Sequence, residues 1–359
     1  MTRTFYLGLS LLLIVALGVP AFSQQAAAAP QAAAAPQAKT PAEYNAYKAV
    51  YDEQAPAKKA ELAEKFITDY KESELTGQAL TMMVGAYAKA QNWAKVMDAA
   101  DRAAAYPKAD TKLKGFAFGN AMVAAQQVNN FEKIVEYGDK LLSVDPNDLN
   151  AMITLSSMIP ERLPADDAAK KAALDKANGL ATKAMAGVTQ LFSQPKPAQF
   201  SDADWNKQKS ELEGNLHATM GFIALNNRDY PKAVEHYETA VKSIPKDGIA
   251  HFRLGLAYQF LTSDASKAVV EAIKKENQAK TEKADQVQID ELVATRQGIE
   301  QDLNDKRDKA IDQLATAVAI GGVVQQPARE ALTKLYQSKT PDGSTAGMEE
   351  LIAQKKSSL

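Results

Sequence analysis

The chain has 359 residues, with 42 lysine and arginine residues against 44 aspartate and glutamate residues. This near balance of charge, without a basic stripe interleaved with aromatic residues, argues against nucleic acid as a partner. The absence of cysteine excludes both a disulfide framework and a lipid-modified amino-terminal cysteine.

The amino terminus has the pattern of a secretory signal peptide. Arg3 precedes an apolar run at residues 5–19, and small residues stand at the positions that favour a cut after Ser23. The run is shorter than the ~20 apolar residues that a spanning helix needs, and Pro20 ends it, which favours cleavage over retention as a membrane anchor. We therefore predict that residues 1–23 direct export, that the protein is periplasmic or secreted, and that no stable membrane span remains after cleavage.

Residues 24–40 are rich in alanine, proline and glutamine and contain the unit Ala-Ala-Ala-Ala-Pro-Gln twice. Proline at this spacing breaks helices and favours extended chain. Two interpretations stay open at this stage: a semi-rigid tether, and a disordered leader between the signal and the folded body.

The next segments predict helical hairpins of decreasing regularity. Residues 41–70 form one such hairpin, and residues 77–186 contain degenerate units, of which 115–148 is the most regular. Residues 187–212 interrupt the series with a proline-containing loop, followed by a helix that Ser201 caps.

A tandem repeat of 34 residues is clearest at 214–261. The first copy contains Met220, Gly221, Tyr230, Ala233, Tyr237, Ala240 and Pro245, and Leu254, Gly255 and Tyr258 return in the second copy. This pattern resembles the tetratricopeptide repeat, a helix-turn-helix unit of the same length. The resemblance implies an all-α solenoid of stacked hairpins that binds other molecules. Within each hairpin we expect small residues to face small residues, Gly221 opposite Ala233 and Ala240, with Tyr237 filling a wider gap.

The second copy is interrupted by residues 264–309, which are rich in charge and nearly free of glycine and proline, and therefore predict helix. One long helix and a helical hairpin both fit this stretch. A short apolar seam recurs along this stretch, formed by Ile289, Leu292, Ile299 and Leu303 with Arg296 among them. Two interpretations are open: a solvated helix or hairpin, and a coiled-coil contact with a neighbouring helix or with a second copy of the chain. Residues 310–359 then supply the second helix of the interrupted repeat and capping helices.

Motifs for chemistry are missing from this sequence. It has three histidines and no His-Glu-x-x-His, Gly-x-Ser-x-Gly, phosphate-loop or calcium-loop pattern. We therefore predict no enzyme activity, no catalytic residues, no cofactor and no metal. His217 and His251 occupy equivalent places one repeat apart, too far for one ion to bridge, which favours core packing. His236 is expected to face solvent.

The resemblance implies that the first helices of successive hairpins line a concave groove. The residues that would face it are Asn215, Ala218, Phe222, Leu225 and Asn226 in the first copy, and Ile249, Phe252, Arg253, Leu256, Gln259 and Phe260 in the second. This set is apolar and aromatic with one arginine, which suits an apolar helix or an extended peptide. The lysine and asparagine clamp of some family members is not matched, because Ala218 and Phe222 stand where polar residues would be needed.

We therefore expect a non-catalytic scaffold of the bacterial cell envelope that binds a protein or peptide in this groove. One alternative is a structural spacer or self-assembling element, including a homo-oligomer, whose groove is filled internally. A second alternative is an accessory subunit of an envelope enzyme or assembly machine.

The signal-peptide assignment has a direct test. When the 359-residue chain is made in a Gram-negative host, the mature chain should begin at Gln24, which amino-terminal sequencing and intact mass will show. A mature chain that still begins at Met1 would contradict the assignment.

Overall fold

A computed structural model describes residues 36–339 and 342–359. The predicted signal peptide at 1–23 and all but the end of the linker at 24–40 lie outside these residues. The described residues form fourteen α-helices and two 3₁₀ turns, with no strand among them. In this part of the chain, no helix combines the length and apolar character needed to cross a bilayer.

The described chain divides into two compact units, each built from helices that pack on their neighbours in sequence. The first unit ends at residue 158 and contains α1 Pro41–Asp52, α2 Pro56–Asp69, α3 Thr76–Lys89, α4 Trp93–Ala105, α5 Thr111–Gln127, α6 Phe131–Val144 and α7 Leu149–Met158. Packing of α3 against α5 as well as against α4 stacks one hairpin on the next. A shared core then runs through the unit, as a solenoid requires.

The second unit begins with a 3₁₀ turn at Ile159–Glu161. It continues with α8 Asp167–Ser193, α9 Asp202–Asn226, α10 Tyr230–Ser243, α11 Gly248–Thr281, α12 Gln286–Ile320, a 3₁₀ turn at Gly322–Val324, α13 Gln325–Lys339 and α14 Met348–Ser358. Successive helices from α8 to α13 pack on one another, and α14 packs on α12. The predicted fold class, an all-α array of helical hairpins with an inserted charged segment, is confirmed.

Three hairpins share one turn geometry. Gln91, Asn129 and Arg228 each adopt the left-handed conformation, with φ of 55°, 53° and 62°. The next residue, Asn92, Asn130 or Asp229, caps the following helix by accepting a hydrogen bond from the amide three residues on. An aromatic residue then starts that helix: Trp93, Phe131 or Tyr230. The three turns thus share one sequence pattern: a polar residue, Asn or Asp, an aromatic residue, any residue and lysine.

Glycine permits the closest helix contacts in the second unit. A Cβ atom at Gly221 would lie 3.0 Å from the ring of Tyr237, and one at Gly255 would lie 2.6 Å from Leu314 Cγ. The expectation that small residues face these glycines is therefore wrong, because each glycine instead makes room for a large side chain on the paired helix. Leu314 holds in the second copy the place that Tyr237 holds in the first.

The inserted segment at 264–309 is a helical hairpin that extends the second repeat. α11 and α12 continue beyond the repeat and are joined by a short turn at residues 282–285, where Lys283 has φ of 56°. Glu276, only 8 % exposed, accepts hydrogen bonds from Lys280 at 2.5 Å and from Arg296 Nε at 2.8 Å. Arg296, placed in the apolar seam by the sequence, therefore binds α12 to α11 of the same chain.

The carboxyl-terminal helices are joined to α12 and to each other by ion pairs. Lys339 reaches Asp308 at 2.8 Å, Lys355 pairs with Asp312, and Arg329 on α13 pairs with Glu349 on α14. Residues 340 and 341, in the stretch predicted to hold the capping helices, lie outside the described residues. The described helices cover the last apolar surface of the unit with Leu332 and Ile352, which is the arrangement expected of a capping segment.

The close contact at Gly255 generates a stability prediction. Gly255→Ala should lower the free energy of unfolding by about 1–3 kcal/mol, because the new methyl group overpacks against Leu314. Gly179→Ala on α8 is the matched control, since nothing lies within 4 Å of its added Cβ. Gly179→Ala should raise the free energy of unfolding by about 0.4–1 kcal/mol, because alanine lowers the conformational entropy of the unfolded chain. Denaturation followed by circular dichroism measures both, and equal effects would contradict the contact.

Candidate functional site: the face of α9 and α11

The candidate groove residues lie on α9 and α11, the first helices of the two clear repeats. On α9, the residues Asn215, Ala218, Phe222, Leu225 and Asn226 are all half-buried. On α11, the residues Ile249, Arg253, Leu256 and Gln259 are half-buried, Phe252 is buried, and Phe260 is exposed. The structure therefore leaves accessible surface along both helices without opening every candidate residue to solvent.

Phe252 belongs to the core of its unit and does not line an open groove. Only 6 % of this residue is exposed, and it is part of the buried cluster that includes Leu254 and Leu314. Arg253, Leu256 and Phe260 follow one another at intervals of three and four residues and share one helix face. Phe252 stands one turn before Leu256 on the same side of the helix, so its burial reflects what packs on α11 at that level and not the helix face alone.

Arg253 is held within the chain by two contacts. Its Nη2 donates a hydrogen bond to Glu161 Oε1 at 2.8 Å, and its Cζ lies 3.6 Å from the centre of the Phe222 ring. The guanidinium thus stacks on an aromatic face and meets a carboxylate, two contacts that suit arginine. The Arg253 side chain is 13 % exposed and that of Glu161 is 32 % exposed. The arginine that sequence left free for a partner is therefore occupied by Glu161.

Tyr237 lies beneath this ion pair and is completely buried. Its hydroxyl makes no hydrogen bond of ordinary geometry to any described residue. Burial raises the pKa of this phenol, and the positive charge of Arg253 acts in the opposite direction. The ring of Tyr237 also fills the space beside Gly221, so one side chain connects the helix contact to the ion pair above it.

Phe260 is the exposed aromatic residue of the candidate set, at 44 %. Its ring stacks on Tyr230 with centroids 4.6 Å apart and planes 11° from parallel. Tyr230 begins α10, so this stack is anchored by the shared turn described above. Nearby on α9, Asn226 donates a hydrogen bond to the Phe222 carbonyl at 2.9 Å, which leaves the Asn226 side chain turned toward its own helix.

The three histidines have different surroundings. His217 on α9 and His236 on α10 are both half-buried, and their Nδ1 atoms are 3.1 Å apart. Burial lowers the pKa of both imidazoles, and the His217 neighbour lowers that of His236 further. The expectation that His236 faces solvent is wrong, because the antiparallel helices bring it against His217. His251 instead bonds Gln313 Oε1 at 2.7 Å and the Pro245 carbonyl at 3.1 Å.

A shallow pocket of about 490 Å³ opens between α10, α11 and α12. Its acidic residues are already paired: Glu238 accepts from Tyr258, Asp308 from Lys339, and Asp312 pairs with Lys355. Among residues 36–339 and 342–359, no group of three or more His, Asp or Glu side chains is arranged to hold a metal ion. The described carboxylates of this pocket therefore connect neighbouring helices through hydrogen bonds and ion pairs.

Comparison with known proteins adds a limited likeness. No family model matches the chain, and no curated protein matches it. A tetratricopeptide repeat protein from Parabacteroides merdae ATCC 43184 is structurally similar, with a TM-score of 0.40 and 11 % identity over 82 % of this chain and 98 % of that one.

Sequence reasoning missed two of these contacts. Glu161 lies 92 positions before Arg253, in a segment where two prolines disturb the repeat pattern, and nothing in local spacing connects the two residues. His217 and His236 are separated by 19 positions. Aligning the two helices of the hairpin about the turn at Arg228 could have placed these histidines on facing surfaces.

The ion pair to Arg253 can be tested by removing its negative charge. Glu161→Gln should lower the free energy of unfolding by about 1–2 kcal/mol, since it leaves a largely buried guanidinium without a charged partner. Asp175→Asn is the matched control, because the Lys171–Asp175 pair is 73 % and 59 % exposed and should contribute roughly 0–0.5 kcal/mol. Urea denaturation compares the two, and an unaffected Glu161→Gln variant would show that the pair is unimportant.

Proposed function

We propose that this chain is an exported bacterial tetratricopeptide repeat protein that acts as a non-catalytic scaffold in the cell envelope. In this proposal, it binds a peptide or helix of another protein on one face of α9 and α11. The all-helical hairpin array supports a general role in protein interaction, since such arrays expose long surfaces formed by repeated helices. The predicted signal peptide and linker support the envelope location.

The observation that carries the binding proposal is the exposed aromatic stack at Phe260. We define the groove face as Phe222, Leu225, Leu256, Gln259 and Phe260. Four of these residues are half-buried, and Phe260 presents the largest exposed aromatic surface among them. Preordered aromatic side chains are effective anchors, because little rotamer freedom is lost on binding. An apolar helix or extended peptide fits such a surface better than a small polar molecule does.

The Arg253–Glu161 pair favours one alternative function, the structural spacer. An internal carboxylate already occupies the arginine, and Phe252 is buried in the core. A protein whose groove is filled by its own chain could serve as a spacer, which sets the distance and orientation of its neighbours without binding a peptide in the groove. The two functions differ in whether Phe260 contacts a foreign chain in the cell.

Site-specific photocrosslinking distinguishes them. A photoreactive residue at Phe260 should capture a distinct envelope protein, whereas one at Val270 should not. Val270 is the matched control because it lies on the same helix, is 51 % exposed and is about 15 Å further along the axis. The captured protein, once purified, should bind Phe260→Ala and Phe222→Ala at least tenfold more weakly than the parent chain, a loss of about 1.4 kcal/mol, with Val270→Ala unchanged.

Three results would contradict the scaffold proposal. Capture at neither position, or capture of the same chain only, would favour the spacer or a self-assembling element. Equal capture at Phe260 and Val270 would show that contact does not depend on the groove face.

A further inference from the structure

His217 and His236 form a pair that the fold leaves without an assigned role. The two residues face each other across α9 and α10, with Nδ1 atoms 3.1 Å apart, ring centroids 5.4 Å apart and ring planes inclined by 41°. Both side chains keep some exposure to solvent. Neutral imidazole nitrogens in this arrangement are either a donor and an acceptor or two ligands for one ion.

The separation of the two nitrogens fits chelation. Zinc binds imidazole nitrogen at about 2.0–2.1 Å, so two such ligands at a tetrahedral angle are roughly 3.3–3.4 Å apart. The observed 3.1 Å is close to this separation, so chelation needs a small outward movement of the rings and a rotation that points both Nδ1 lone pairs at one ion. We propose that His217 Nδ1 and His236 Nδ1 form a binding site for a divalent transition-metal ion such as Zn²⁺, with water completing the coordination.

The charges around the pair are mixed. Glu213 precedes His217 by one helical turn and Glu235 adjoins His236, and both carboxylates favour positive charge at His217. Lys232 precedes His236 by one turn and opposes positive charge there, while Asp229 favours it. Because protein side chains among the described residues do not complete a set of three ligands, the site should exchange its ion readily, unlike a closed structural zinc site.

Binding requires a change of tautomer without net loss of a proton. In the hydrogen-bonded pair, one Nδ1 carries the shared hydrogen; in the metal-bound pair, that proton moves to Nε2 of the same ring and both Nδ1 lone pairs face the ion. His251 cannot do the same, since both of its ring nitrogens are engaged by Gln313 and Pro245. His251 therefore serves as an internal control for metal binding by the other two histidines.

An ion at this position would join the two helices of the most regular hairpin. Its ligands come from α9 and α10, which are already connected by the turn at Arg228 and by the Gly221–Tyr237 contact. A ligand that binds the folded chain and not the unfolded one stabilises the folded state. The site thus adds a metal-dependent contact to a scaffold that folds without it.

The test is a Zn²⁺ titration of the full chain, prepared without a polyhistidine tag and freed of metal by chelation. Calorimetry should show one ion per chain, and the ring signals of His217 and His236 should shift in histidine NMR spectra while those of His251 stay in place. His217→Ala and His236→Ala should each abolish binding. Zn²⁺ should raise the thermal midpoint of the parent chain and leave both variants unchanged.

The proposal is overturned if millimolar Zn²⁺ moves no histidine signal, which would leave the pair as a hydrogen bond between neutral rings. It is equally overturned if His251 shifts together with the pair, or if either variant binds as the parent does. The spectra of the parent chain are decisive even if a variant fails to fold.

Discussion

The second unit depends on the approach of paired helices at glycine. Gly221 lies against the ring of Tyr237 and Gly255 lies against Leu314. An added Cβ would be tight in the first contact, at 3.0 Å, and too close in the second, at 2.6 Å. Because the same kind of contact occurs in both copies, it sets the register of one hairpin and repeats it in the next. The alanines that flank these contacts, Ala233 and Ala240 in one copy and Ala310 and Ala317 in the other, are buried. The inserted hairpin does not disturb this register, because it begins after Gly255 on α11 and ends before Leu314 on α12.

The same packing explains why part of the surface of α9 and α11 is already covered. Tyr237 is held beneath α9 by Gly221, and Arg253 lies above it, stacked on Phe222 and paired with Glu161. A charged group covered this far from water is tolerated because it has both an aromatic face and a carboxylate. In the proposed binding role, the partner would therefore contact the accessible surface around Phe260 and not the region beside Phe252.

The sequence predicted the hairpin pattern and a helix after residue 310, because periodic apolar positions and chain breakers are local signals. The sequence did not predict which side chain faces each glycine. That contact depends on how two helices are rotated relative to each other, and residue spacing within one helix does not determine this rotation. The sequence could not find Glu161 as the partner of Arg253, because that contact joins segments 92 residues apart. The prediction that His236 is exposed to solvent was wrong for a related reason. A single polar residue on a helix does not show which neighbouring side chain covers it.

Residues on either side of the inserted hairpin belong to one repeat, because Gly255 on α11 packs against Leu314 on α12. The most direct measurement replaces residues 260–306 with Asn-Asn-Arg-Asp, the turn that stands at 226–229 in the first copy, and follows thermal unfolding by near-ultraviolet and far-ultraviolet circular dichroism. The shortened chain should keep its tertiary signal and a cooperative transition, because Gly255 and Leu314 still meet. A chain that loses both would show that the hairpin is required for the fold and that the repeat does not continue across it.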